Sequence, residues 1–317
     1  MEKQQKQPLK QKTAYRPDQP DYQPTIILAG ATGYLGSFLV SNLQAQERPF
    51  RAIARNTKKL KAMGLEERQM IRAEVTQATS LRDKLTGAEV LISTVGITRQ
   101  KDGLTYMDVD YQANMNLLAE AQRAGVRKFI YISAVNGEQM RHLKIMEAKE
   151  KFVDALKASG MDYTIIRPNG FFSDLQDFLD MAKSGRVYLF GDGQFKLNPI
   201  HGADLAQVVT DAIKCQEKEI AVGGPDILTQ NEIAEMALKA SGKPVRILHL
   251  PDWIRKGTIK ALRTLTSSRT YGPYEFFLSM MAQDNIAPRY GIYRLKTFFQ
   301  EEADALRPEV VKKKSVV

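Results

Sequence analysis

The sequence predicts an α/β protein in which helices cover both faces of a doubly wound parallel sheet, followed by a smaller C-terminal substrate lobe. Two observations lead to this prediction. Short apolar runs alternate with amphipathic helical stretches through the first half of the chain, as right-handed βαβ units require. In addition, the glycine-rich segment AGATGYLGS directly follows the first apolar run and opens the first helical stretch.

The alternation can be followed from residue 24 to residue 168, which we predict to form one domain. The predicted strands are TIILAG (25–30), FRAIAR (50–55), MIRAEV (70–75), EVLISTV (89–95), KFIYIS (128–133) and DYTIIRP (162–168). The predicted helices between them are 34–45, a segment ending near Leu85, 111–125 and 147–160, the last two stopped by Gly125 and Gly160.

Residues 169–306 have a looser pattern, which predicts a lobe that completes the sheet and covers a substrate crevice. GRVYLFGDGQFKLNPI indicates a hairpin or paired strands with a turn at 191–193, and EIAVGG and PVRILHLP indicate two more strands. Helices are predicted at 204–216, 228–242 and 293–306, with one or two helices over 252–285. Thr229 and Glu232 have capping-box spacing.

Charge and composition exclude several classes of function. The net charge of +10 comes from 1–23, 253–270 and the last eleven residues, which contribute +2, +5 and +3, so the remaining body is formally neutral. That distribution argues against nucleic-acid binding. We expect 1–23 and 307–317 to be tails and the protein to be cytoplasmic. The single cysteine, Cys215, predicts a bystander thiol rather than a disulfide.

The glycine-rich turn predicts a Rossmann-type dinucleotide site. Gly30 permits the tight turn, Gly33 lets backbone amides approach a pyrophosphate, and Gly36 lets the helix pack on the sheet. The intervening Ala31, Thr32, Tyr34 and Leu35 are therefore predicted cofactor contacts as well.

Arg55 predicts that the cofactor is NADP(H). It ends the second strand nineteen residues after Gly36, where NAD-selective proteins place Asp or Glu for the ribose hydroxyls. A charge-assisted contact to the 2′-phosphate, worth about 1.5–3 kcal/mol, corresponds to roughly 10- to 150-fold preference. The alternative is an ordinary surface arginine.

From about Thr25 to Phe299 the chain resembles the atypical short-chain dehydrogenase/reductases, which include NmrA-like regulators and divinyl-chlorophyllide vinyl reductases. GATGxxG spacing, LKIMEAKEKFVDALKASGMDYTIIRPNGFF and FGDGQFKLNPIHGADLA carry the resemblance, nearest to the vinyl-reductase branch. It implies that Glu74 and Val75 flank the adenine and that Ser93 to Gly96, with Thr94 and Val95, lie beneath the cofactor. Asn114 matches a position that often bears Asn.

The same resemblance implies that Lys149 and Ser133 are catalytic and contact the cofactor. Typical members use a Tyr-x-x-x-Lys, but Ile145 stands four residues before Lys149 and the chain contains no such motif. The proton for any reduction must therefore come from elsewhere. Within RPNGFF, Pro168, Asn169, Gly170 and Phe171 are expected to border the nicotinamide, facing a pocket formed by 169–299.

Several interpretations stay open at this stage. The chain is either a reductase acting by hydride transfer on a small conjugated or carbonyl substrate, or a non-catalytic NADP(H)-binding regulator or assembly factor with a protein partner. The basic segment 251–269 is either a lid helix with its apolar face inward or a weak contact with an anionic membrane. His201 and Asp204 are predicted to be structural, Asp204 as a helix cap, and no spacing suggests a metal site.

Overall fold

The structure is a computed structural model that describes residues 25–98 and 103–305. The predicted tails 1–23 and 307–317 lie outside the described residues. The described strands are β1 Ile26–Ala29, β2 Phe50–Ala54, β3 Met70–Arg72, β4 Val90–Ser93, β5 Lys128–Ile132, β6 Asp162–Pro168, β7 Val187–Phe190, β8 Lys196–Leu197, β9 Glu219–Val222, β10 Leu228–Thr229 and β11 Ile247–Leu250.

The helices follow the predicted order. The described α-helices are α1 Tyr34–Ala45, α2 Thr57–Ala62, α3 Ala78–Leu81, α4 Asn114–Ala124, α5 Lys144–Ala158, α6 Gln176–Lys183, α7 Gly202–Asp211, α8 Gln230–Ala240, α9 Asp252–Leu265, α10 Ser268–Met280 and α11 Leu295–Ala305. A π-helix, Met107–Ala113, runs directly into α4. No helix among the described residues is long and apolar enough to span a bilayer.

Seven parallel strands form the central sheet in the order β3-β2-β1-β4-β5-β6-β9. Alternate side chains of β1 enter two different cores, because successive residues of a strand point to opposite faces. Ile26 and Leu28 pack with α1 and α7, whereas Ile27 and Ala29 pack with α4 and α5. The predicted doubly wound Rossmann-type fold is therefore confirmed.

The C-terminal lobe contributes β9 to that sheet, where Ile220 pairs with Ile166 of β6. The rest of the lobe has its own core, built around Phe172, Phe178 and Phe299. Its short strands do not form the hairpin considered above: β7 pairs in parallel with β11, and β8 pairs antiparallel with β10. Sequence spacing could not show this, since both partners lie far along the chain.

Element boundaries differ from the prediction at a few ends. α7 stops at Asp211 instead of 216, because residues 213–215 make tighter i to i+3 backbone hydrogen bonds. α5 begins at Lys144, three residues early. Gly125 and Gly160 do follow their helices with φ of 72° and 75°, and the Thr229–Glu232 capping box is present.

Candidate cofactor site

The three glycines of the turn between β1 and α1 are under different constraints. Gly30 has a φ of +85°, and a Cβ there would lie 2.4 Å from the Thr94 hydroxyl oxygen. A Cβ on Gly36 would lie 2.1 Å from the Gly30 carbonyl oxygen. Gly33 has an extended φ of −81°, and its Cβ would meet only the Gly30 carbonyl oxygen, at 3.3 Å. The fold therefore requires Gly30 and Gly36, whereas the bare backbone at Gly33 leaves space beside the helix start.

The N-terminus of α1 is suited to an anion. Among the described residues no side chain caps this helix, and its first turn carries no acidic side chain. The first backbone N–H groups of a helix lack intrahelical acceptors, and the helix dipole adds partial positive charge there. A pyrophosphate passing Gly33 would supply acceptors for these donors. The residues present thus fit a dinucleotide.

A cleft of about 340 Å³ opens beside this turn, along the carboxyl ends of the first strands. Nine of the predicted cofactor residues line it: Gly30, Thr32, Gly33, Arg55, Glu74, Val75, Thr94, Val95 and Gly96. The prediction missed seven more: Ile53, Ala54, Ala73, Thr76, Ile97, Leu104 and Val109. Most of these directly adjoin a predicted residue, so the rule that ligands bind at carboxyl strand ends would have found them.

Arg55 and Glu74 face each other at the edge of the cleft. Arg55 Nε lies 3.6 Å from Glu74 Oε2, and their side chains are 59% and 26% exposed. The arginine is therefore accessible to a ligand while a carboxylate holds it over the cleft. An exposed pair of this kind contributes little to stability, about 0–1 kcal/mol.

The remaining residues of the turn lie beneath it. Ala31, Leu35 and Gly36 are buried. Their side chains therefore cannot contact a phosphate, and only their backbone amides at the helix start could do so. Tyr34 faces the lobe: its ring packs edge-on against Phe38 and Phe171, and its hydroxyl accepts a hydrogen bond from the Gly202 amide.

Asn114 is a buried structural centre beneath the loop after β4. Its Oδ1 accepts a hydrogen bond of 2.6 Å from Ser93 Oγ, and its Nδ2 donates to the carbonyl oxygens of Val95 and Asp110. These bonds fix the loop that forms the floor of the cleft.

Lys149 carries a buried positive charge beside the cleft. Its Nζ lies 2.8 Å from Oδ1 of Asp110, and the two side chains are 15% and 0% exposed. A Cβ on Gly96 would lie 2.6 Å from that carboxylate oxygen and 2.9 Å from Lys149 Nζ. The ion pair therefore abuts the backbone of the loop that lines the cleft.

Burial disfavours the ammonium, but the nearby Asp110 carboxylate outweighs that effect and raises the pKa of Lys149 above its ordinary value. The side chain is consequently a fixed cation at neutral pH. Sequence analysis missed Asp110, which lies on the π-helix and also accepts a hydrogen bond from the Ile97 amide. Its signal was the spacing of Asp110 and Asn114, four residues apart, which places two polar side chains on one helix face.

Ser133 is placed differently from the prediction. Its Oγ donates a 2.5 Å hydrogen bond to Oε1 of Glu150, which is fully buried and forms a two-point ion pair with Arg167. The hydroxyl is thus held inside the α5–β6 packing. The cause is Glu150: on a helix, adjacent Lys149 and Glu150 face different neighbours, and Ser133 lies on the glutamate side.

The segment after β6 also departs from the prediction. The Pro168 carbonyl accepts from the Val135 amide, the Asn169 amide donates to Val222, and the Gly170 carbonyl accepts from Ile200. Backbone groups expected to face a nicotinamide are therefore committed to the protein. None of Pro168, Asn169, Gly170 and Phe171 lines the 340 Å³ cleft, whose lining residues within 25–98 and 103–305 fall between Gly30 and Val109.

Asn169 belongs to a buried group of asparagine side chains. It donates to Oδ1 of Asn198 at 2.8 Å, Asn198 donates to the carbonyls of Gly224 and Ala287, and Asn285 accepts from Asn136. This amide cluster ties the segment after β6 to three loops of the lobe. Buried amides need such partners, which explains why the side chain turned away from the cleft.

The weaker candidates have structural roles. His201 is the N-cap of α7, since its Nδ1 accepts from the Ala203 amide, and its ring stacks on Tyr293 at 4.3 Å. Asp204 was predicted to cap this helix, but it accepts instead from the amides of Ile292 and Tyr293. No cluster of His, Cys, Asp and Glu among the described residues could hold a metal.

Comparison with known proteins agrees with this geometry. A family model described as NAD(P)H-binding matches residues 30–216. The divinyl chlorophyllide a 8-vinyl-reductase of Zea mays is 28% identical, covering 89% of this chain and 80% of that protein. The photosystem II assembly factor Ycf39 of Guillardia theta is 23% identical, covering 72% of this chain and 73% of that protein.

Among solved structures, the NADPH-dependent quinone oxidoreductase of Escherichia coli, complexed with NADPH, shares the fold. It superposes with a TM-score of 0.64 at 19% identity, covering 89% of this chain and 99% of that one. The resemblance to the vinyl reductases noted in the sequence is confirmed by these findings.

Proposed function

The chain belongs to the NAD(P)H-binding family, and on that premise we propose that it is an NADPH-dependent reductase of the atypical short-chain class. Its reaction is hydride transfer to a conjugated or carbonyl substrate. The observation that carries the proposal is the buried Lys149 ammonium, held by Asp110 against Gly96 at the cleft. Burying a cation is costly, and a binding platform for phosphate and adenine would need no such group there.

The preference for NADPH rests on Arg55. Its guanidinium lies at the cleft beside Glu74 and is 59% exposed, so it can turn to a 2′-phosphate. Glu74, in contrast, is anchored on the cleft wall, because its Oε1 accepts hydrogen bonds from the amide and the hydroxyl of Thr76. A guanidinium and a phosphate form charge-assisted hydrogen bonds, which neutral ribose hydroxyls cannot match.

When bound, the nicotinamide supplies the hydride. Lys149 remains protonated, so it acts as a hydrogen-bond donor and a fixed positive charge rather than as a base. It can hold a ribose hydroxyl and stabilise negative charge that develops on the substrate. Ile145 is buried in an apolar cluster with Leu143 and Met146, so the usual tyrosine has no replacement at that position. The balancing proton therefore comes from another side chain, from water or from the substrate itself.

The test is turnover by a Lys149→Met protein, with Lys151→Met on the exposed side of α5 as the control. The purified protein is incubated with NADPH and a panel of conjugated and carbonyl compounds, and loss of reduced cofactor is followed. We expect Lys149→Met to lower kcat by roughly 10²-fold or more, with a much smaller change in NADPH affinity. The control should behave like the unmodified protein.

An unmodified rate in Lys149→Met would refute this role for the lysine. Ile145→Tyr combined with Lys149→Met should not restore the rate, because the buried position directs the new ring into the apolar cluster and not to the cleft.

A second function is favoured by the relatives that assemble photosystem II and by the missing tyrosine. In this case the protein is an NADP(H)-binding assembly factor or regulator. NADPH would then stay unoxidised with every compound of the panel, and its addition would change the dissociation constant for a protein partner. Lys149→Met would leave that change intact, whereas a variant of Gly33 would abolish it.

A further inference from the structure

Helix α9 lies on the protein with one side and presents the other to solvent. None of its fourteen residues is buried. Ile254, Ile259 and Leu262 are half-buried, so the expected inward apolar face is only partly covered. Trp253, at the other extreme, is 71% exposed, and Leu265 is 81% exposed. Helices of this length gain most of their stability from packing, so such exposure of large apolar groups requires an explanation.

The exposed side of α9 consists of two adjacent ridges, because residues four apart stack along a helix. One ridge is apolar and consists of Trp253, Gly257, Ala261 and Leu265, all of which are exposed. The other carries Lys256, Lys260 and Thr264, also exposed, with Arg263 beside it. We call the two ridges together the α9 face.

The charge around the α9 face is strongly one-sided. Residues 253–270 contain five basic and no acidic side chains. Asp252 pairs with Arg255 and Lys256, and Glu275 pairs with Arg263. Four of the five cations lie on α9 itself and Arg269 lies on α10, so the two carboxylates leave an excess positive charge around the helix. Lys256, although paired, is 72% exposed and can reach outward.

From this juxtaposition we propose that the α9 face binds an anionic membrane surface, with the helix lying in the interface plane. A tryptophan at the start of a basic helix face suits the headgroup region well, since its ring is apolar and its N–H is polar. The Trp253–Leu265 ridge would enter the headgroup boundary, and the lysines would contact lipid phosphates.

The chain offers its own probe for the test. Trp253 is the single tryptophan of the protein, so its emission reports on α9 alone and not on the basic tails. The full-length protein is titrated with vesicles of equal parts phosphatidylglycerol and phosphatidylcholine, and separately with pure phosphatidylcholine. We expect a blue shift and protein sedimentation with the anionic vesicles, both reversed by salt, and neither with the neutral ones.

Charge variants test the second ridge. Lys256→Gln combined with Lys260→Gln should weaken partitioning into anionic vesicles by roughly 30-fold, which corresponds to about fivefold for each lysine removed. The matched control is Lys183→Gln with Lys239→Gln, two exposed lysines of α6 and α8, which should change it little. Leu265→Ser should weaken binding without changing the charge.

Sedimentation with anionic vesicles but without a shift in Trp253 emission would overturn the proposal, because the tails alone would then carry the binding. A lipid-free dimer dispersed by Trp253→Ala would overturn it as well, since a second copy would then cover this face. NADPH binding by the variants should equal that of the unmodified protein, which separates this outcome from failure of the proposed reductase function.

Discussion

At the scale of single residues, the turn between β1 and α1 shows that three glycines can be required for three reasons. Gly30 needs its left-handed backbone and Gly36 needs the absence of a Cβ for helix packing. Gly33 needs neither, so the space that its missing side chain leaves is available to a bound nucleotide. Substitutions at these positions should therefore separate folding from binding.

We expect Gly33→Val to abolish NADPH binding while the protein stays folded, because the isopropyl group would occupy the path of the pyrophosphate and meets only one carbonyl oxygen of the protein. Gly36→Val is the contrasting variant and should destabilise the fold. Calorimetric titration with NADPH and thermal unfolding measure the two effects. Unchanged cofactor affinity in folded Gly33→Val would place the nucleotide elsewhere.

Arg55 determines the choice between nucleotides in our proposal. NADPH should bind at least about tenfold tighter than NADH, and Arg55→Asp should narrow or invert that ratio. The aspartate would face Glu74, which is 3.6 Å from the present guanidinium, so a 2′-phosphate would meet two carboxylates. Equal dissociation constants for the two nucleotides in the unmodified protein would contradict the assignment. Lys58→Asp, on α2, is the control for a general loss of charge.

At the scale of elements, α5 separates two buried ion pairs. Lys149 turns to Asp110 of the π-helix, and the next residue, Glu150, turns to Arg167 of β6. Arg167 also binds Glu219 of β9 at 2.6 Å, so the second pair fastens the last two strands of the sheet. The first pair serves the cleft and the second serves the fold.

Glu150→Ala should therefore destabilise the protein by about 3–5 kcal/mol, because it leaves the Arg167 guanidinium buried beside a single remaining carboxylate. Ser133→Ala removes the hydrogen bond to the same glutamate and a long one, 3.4 Å, accepted from Arg167, and should cost about 1 kcal/mol. Urea unfolding monitored by circular dichroism measures both. A large loss of NADPH turnover in a stable Ser133→Ala protein would restore the serine to a catalytic role.

Helix α9 is destabilised by a glycine in its interior, Gly257. A Cβ on Gly257 would meet nothing within 4 Å, and glycine in a helix interior costs up to about 1 kcal/mol relative to alanine. Gly257→Ala should therefore raise the local stability of α9. Slower amide hydrogen exchange across residues 252–265, with no change in the rest of the described chain, would be the observable result. Equal exchange would mean that α9 is held mainly by its contacts with α10 and β7.

At the scale of the whole molecule, the amide cluster around Asn198 joins the two halves of the chain. Asn198→Leu would leave the amides and carbonyls of several loops buried without partners, and each such group costs about 1–3 kcal/mol. We expect cooperative unfolding of the unmodified protein to split into two transitions in this variant. A single transition at a lower midpoint would show that β9 suffices to couple the halves.

The sequence allowed prediction of the features that depend on local pattern. Strand alternation, the glycine turn and the Arg55 position each follow from residues close together in the chain. The departures at the site involve partners distant in sequence: Asp110 pairs with Lys149, Glu150 accepts from Ser133, and Asn198 accepts from Asn169. Such pairings depend on tertiary packing, which periodicity does not contain.

The position of β9 has a consequence for synthesis of the protein. Strand β6 ends at Pro168, yet its outer neighbour begins only at Glu219. While the ribosome makes the intervening residues, the nascent sheet has an open edge, with unpaired backbone donors and acceptors along β6. Exposed edges of this kind recruit other chains. Translation that slows between these two strands would prolong the interval in which a chaperone must shield that edge.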